Sequence, residues 1–95
     1  MTHHTDSTAV EAQIDARIDE RLEYWIEQLG RLCAQPSISA QRLGIDECAA
    51  LVATMLQDEG YTAEILPTGG SPIVYGDSGP SGQARTLLFY NHYDV

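Results

Sequence analysis

The chain has 95 residues, 43% of them hydrophobic, with 14 acidic side chains against 5 basic ones, all arginine, and a formal net charge of -9. That length holds one small domain or part of one, and the acidic balance excludes a nucleic-acid partner, because phosphate recognition needs a basic face. No stretch is apolar for long enough to span a bilayer, and the first residues lack the features of an export or organelle signal, so a cytoplasmic protein with no membrane partner is expected.

Residues 1–7 read as a flexible tail, with His3 and His4 as side chains of a mobile end rather than a site. Residues 8–95 read as one domain or a piece of one. Thr8 and Glu11 have capping-box spacing, which opens a helix by satisfying its free amides. Val10, Ile14, Ile18, Leu22, Trp25, Ile26, Leu29, Leu32 and Cys33 then recur every three or four residues, predicting a long amphipathic helix with one buried stripe. Pro36 disfavours helical geometry at Gln35 and ends it there.

A loop, "PSISAQRLG", carries Ser37 and Ser39. Ile45, Cys48, Ala49, Val52, Met55 and Leu56 mark a second helix, which Gly60 is placed to stop in a left-handed turn. Both cysteines fall within helical patterns and read as buried thiols, not a disulfide or a zinc knuckle. Beyond Gly60 the period changes. "YTAEIL" and "PIVYG" are short β-prone runs joined by the turn "PTGGS", and a second glycine-rich loop leads into "RTLLFYNHYDV". The fold class predicted is α/β: two amino-terminal helices followed by three strands, the start of a helix-flanked mixed-sheet domain. Leu87, Leu88, Phe89 and Tyr90 do not alternate with polar residues, as in a central strand covered on both faces. This chain lacks the neighbours such a strand needs. The 95 residues are therefore expected to be the front of a larger domain, or to be completed by a partner chain.

Along a strand, His92 and Asp94 share a face while Tyr93 points away. An acid that holds one imidazole nitrogen leaves the other oriented to bind a metal; the same pair could serve as a base steered by an acid. Two residues are a weakly specific motif, and a solvated ion pair at a strand end is the alternative. Position favours a site, since functional groups of open α/β sheets gather at the carboxyl ends of strands. The "GDSG" of Gly76–Gly79 is similar to the nucleophile loop of chymotrypsin-like serine proteases, but that family is built of β-barrels and this chain opens with two helices. "GDSGPSG" has the composition of a connecting loop, and a serine hydrolase using Ser78 is the weaker alternative.

As a whole, the pattern resembles the amino-terminal end of the catalytic domain of the zinc-dependent exopeptidases and deacylases related to carnosinase, aminoacylase, succinyl-diaminopimelate desuccinylase and carboxypeptidase G. The resemblance runs from about Leu22 onward: "QPSIS" at Gln35–Ser39, Gly60-Tyr61 before the first strand, "GGSPIV" at Gly69–Val74, and the His-x-Asp-Val motif at His92–Val95. Asn91 departs from the family's usual glycine at a position that binds no metal, and Tyr93 points to the dipeptidase-like branch. The resemblance implies His92 as a metal ligand and Asp94 as the catalytic acid that orients it. It implies two zinc ions in the complete enzyme, with cobalt or manganese as substitutes, and hydrolysis of an amide bond in a small peptide or N-acyl amino acid. A homodimer of the complete protein is compatible with it. One histidine cannot hold a catalytic zinc, which needs at least three protein ligands, so the 95-residue chain alone is expected to be inactive. A non-catalytic partner-binding module is the alternative from another class.

Overall fold

The computed structural model describes residues 7–79, 82 and 85–95. His3 and His4, and with them nearly all of the expected tail, lie outside the described residues. The chain divides into two compact units, Met1–Gly30 and Arg31–Val95.

The first unit holds most of helix α1, Ser7–Ala34. The helix starts one residue before Thr8, within the ordinary uncertainty of helix ends, and stops two residues before Pro36, as the sequence predicts. Arg17 pairs with Glu20 one turn on, at 3.3 Å, and the Arg21 guanidinium lies 4.5 Å from the centre of the Tyr24 ring. No residue of α1 is buried, so the expected buried stripe is corrected. Val10, Ile14, Leu22, Ile26 and Leu29 are exposed.

In the second unit, α1 gives way to a loop that closes on itself. The backbone amides of Ile38 and Leu43 each donate to the other residue's carbonyl, at 2.9 and 3.1 Å, around a short 3-10 turn at Ser39–Gln41. Gly44 then sits at φ 72°, and a Cβ there would collide with the Pro36 carbonyl oxygen. Only glycine satisfies both the left-handed backbone and that approach.

Helix α2, Ile45–Asp58, follows at once. Its carboxyl end is a Schellman motif: the Gly60 amide donates to Gln57 and the Tyr61 amide to Leu56, each at 3.0 Å, with Gly60 at φ 92°. Strands β1, Thr62–Leu66, and β2, Ile73–Asp77, form an antiparallel hairpin in the register Thr62↔Asp77 to Leu66↔Ile73. The turn between them is tied by Thr68, whose hydroxyl donates to the Ser71 carbonyl at 2.8 Å and accepts from the Gly70 amide at 3.1 Å. α2 packs on this hairpin. Gly76 lets the strand come so close that a Cβ there would lie 3.0 Å from Leu56. The buried apolar core is small: Ile45, Cys48, Ala49 and Ala53, all from α2. Cys48 is buried as expected, whereas Cys33 is exposed.

The expected three-stranded, mixed-sheet architecture is corrected here. The sheet has two strands, purely antiparallel, and residues 85–95 form none. A strand exists by its ladder. Among the described residues, the hydrogen bonds this segment makes from main chain to main chain are those of Val95, and these go to the Ser37–Ser39 loop rather than to β1 or β2. Leu87, Leu88, Phe89 and Tyr90 are 77–89% exposed instead of covered on both faces. Thr86 to Tyr90 and Ile73 to Asp77 of β2 are among the residues that line an open, largely apolar groove. Cys33 lines the same groove, which accounts for its exposure.

Candidate functional site

The site begins in the backbone of the Pro36–Ser39 loop. Ser37 is the buried polar residue of the described chain, 7% exposed, and its hydroxyl donates to the Tyr93 carbonyl at 2.8 Å. The Val95 amide donates to the Ser37 carbonyl at 2.8 Å, and the Ser39 amide to the Val95 carbonyl at 3.2 Å. These last two bonds bracket Ile38 in the manner of one rung of a parallel ladder. A fourth bond comes from the Tyr93 side chain, whose hydroxyl donates to the Pro72 carbonyl at 2.6 Å. Residues 93–95 are thus fastened to the loop after α1 and to the turn before β2.

That fastening presents His92 and Asp94 next to each other. His92 Nδ1 lies 2.9 Å from the Asp94 backbone carbonyl oxygen and 3.5 Å from its Oδ1. A carbonyl can only accept, so the short contact places the proton on Nδ1 and leaves the Nε2 lone pair free. The sequence pointed to the carboxylate as the group that holds the ring; the geometry gives the closer contact to the main chain of the same residue. The His92 side chain is 77% exposed and that of Asp94 37%, so the ring stands at the rim with its acid partly sheltered. Both sit on an irregular segment held by the clip rather than at a strand end.

Tyr93, between the two, is half-buried and directs its hydroxyl to the Pro72 carbonyl. Burial raises its pKa above the ordinary tyrosine value, and electrostatic repulsion from Cys48, Asp94 and Asp46 adds to the rise. It stays a neutral donor to Pro72. The clip itself was not foreseen in the sequence. Its signals were a serine next to the helix-ending proline and a tyrosine, a side chain with an apolar body and a polar tip, between two ionisable residues.

The other sequence candidate does not converge on the pair. Ser78 follows β2 and is exposed. Its neighbour Asp77 accepts from the Gly79 amide at 2.8 Å and the Thr62 hydroxyl at 3.1 Å. The Gly79 amide, with the Tyr75 and Thr62 hydroxyls, holds that carboxyl below its usual pKa, and Asp77 in turn raises the pKa of Tyr75. Asp77 is therefore committed to its own turn. Among the described residues, no hydrogen bond joins Ser78 to His92.

The residues present fit one ligand's place in a metal site: an imidazole whose Nδ1 proton is held and whose Nε2 is open, beside a carboxylate. They do not make a whole site, since among the described residues no group of three His, Cys, Asp or Glu side chains could hold an ion. No helix among them is long and apolar enough to cross a membrane. In comparisons with known proteins, no family model, no curated protein and no solved structure matches this chain.

Proposed function

We propose that this chain is the amino-terminal portion of a binuclear zinc hydrolase that cleaves amide bonds in small substrates such as dipeptides or N-acyl amino acids. The observation that carries the reading is the held Nδ1 of His92, 2.9 Å from the Asp94 carbonyl, which leaves Nε2 as a fixed, outward donor. His92 would be a ligand, and Asp94 the residue that fixes its tautomer through its main-chain carbonyl, with its carboxylate 3.5 Å from the same nitrogen raising the ring's basicity. Zinc, when bound, supplies Lewis acidity and a water of lowered pKa. The remaining ligands and the general base are assigned to no described residue, and the isolated chain is expected to be inactive.

The test is made on the protein as its source makes it. Thorough chelation should abolish dipeptide or N-acyl amino acid hydrolysis, with zinc restoring it. His92→Ala should lower kcat/KM by a factor on the order of 10³ or more, the scale of losing a metal ligand or comparable catalytic group. Hydrolysis that survives both treatments would overturn the reading.

A second reading rests on a different observation, the 77–89% exposure of Leu87 to Tyr90. An exposed apolar run whose backbone makes no main-chain hydrogen bond among the described residues is a surface to which a partner strand can add. In that reading the chain is a non-catalytic binding module, and His92 and Asp94 are surface residues.

A further inference from the structure

The four hydrogen bonds that fasten residues 93–95 are not equivalent. Two join main chain to main chain, and one ties the Tyr93 phenol to Pro72, away from the pair. In the fourth, a buried side chain holds the Tyr93–Asp94 peptide by its carbonyl. The orientation of that peptide is one of the two that relate the His92 and Asp94 side chains, and it directs the chain into Asp94. The Asp94 carbonyl that accepts from Nδ1 is one peptide further along the same short stretch.

We propose that Ser37 is a positioning residue for the His92–Asp94 pair: by holding the Tyr93 carbonyl, its hydroxyl fixes the backbone so that the Asp94 carbonyl meets Nδ1 and Nε2 is left as the free nitrogen. The inference rests on the reading of the pair as a working site. Its test measures ring geometry in metal-stripped protein, so it can fail while the hydrolase reading stands, and the reverse.

With histidine labelled in ¹⁵N, long-range proton–nitrogen correlation spectra at mildly alkaline pH report which nitrogen of a neutral imidazole carries the proton. The His92 signal is assigned by its loss in His92→Gln. The wild-type ring should be predominantly protonated on Nδ1. Ser37→Ala should move the population toward the Nε2-protonated form, the one ordinarily preferred in water, and should speed amide exchange of Val95 by about fivefold or more, the scale of one lost hydrogen bond. Ser37→Thr, which keeps the hydroxyl, should restore both. Tyr93→Phe, which keeps the carbonyl and its bond to Ser37, should leave the tautomer as in wild type. An unchanged tautomer in Ser37→Ala would overturn the proposal, as would an equal shift in Tyr93→Phe, which would mark general packing rather than the Ser37 bond. If Ser37→Ala does not fold, Ser37→Cys, close in size but a weak donor, carries the same expectation.

Discussion

Gly44 shows how one residue can decide the geometry of a site it does not touch. It carries a left-handed φ of 72°, and an added Cβ would strike the Pro36 carbonyl oxygen, in the residue next to Ser37. Relief would require the loop to open where it holds the His92 segment. Gly60 also has a left-handed φ, 92°, but nothing lies within 4 Å of the place its Cβ would take. The two glycines therefore separate strain from collision. Gly60→Ala should cost about 1 kcal/mol, the conformational penalty alone, whereas Gly44→Ala should cost about 2–4 kcal/mol. Urea midpoints at unchanged m-value would measure both. The sequence marked Gly60 by its place after an apolar helical stripe, but gave no such cue for Gly44. Its constraint comes from contact with a residue eight positions earlier, which periodicity does not report.

At the scale of elements, what was legible was whatever depends on local pattern. Both helices end where proline and glycine chemistry says they should, and β1, β2 and their turn fall within a residue of the expected runs. The third strand was not legible, because an apolar run specifies burial but not a ladder partner. The pairing of His92 with Asp94 was visible in their spacing. The Ser37 clip was not, since it joins segments far apart in the chain.

The hairpin also makes a pH prediction. Asp77 joins Thr62 across the two strands, and its folded pKa is lowered, first by the Gly79 amide and then by the Tyr75 and Thr62 hydroxyls. A lowered folded pKa means a contribution present above the unfolded carboxylate value, near ~3.9, and lost as pH falls through the folded one. Amide exchange in β1 and β2 should accelerate as pH drops through that window, after correction for intrinsic rates. Asp77→Asn should flatten that extra dependence.

The whole molecule sets a net charge of -9 against an exposed run of four large apolar side chains. Charge repulsion keeps copies apart, and salt screens it over a Debye length of about 10 Å at 0.1 M. The exposed run from Leu87 to Tyr90 is then free to associate with apolar surface on another copy. Static light scattering of the 95-residue chain should rise with added salt, and Leu88→Glu with Phe89→Glu should reduce that rise several-fold. If the binding-module reading holds, the same double variant should also lose a stoichiometric partner. The Ser37–Tyr93 bond has a further consequence, for the order in which the protein is made. It spans 56 positions, and closing a loop of that length costs about 3.5 kcal/mol of chain entropy beyond its length-independent part. Contacts of that sequence separation form late, after helices and hairpin are in place. The Tyr93 carbonyl is therefore secured late, after the local contact between the imidazole and Asp94 has already become possible, and a chain that has not yet closed that loop carries the pair without the anchor beneath it.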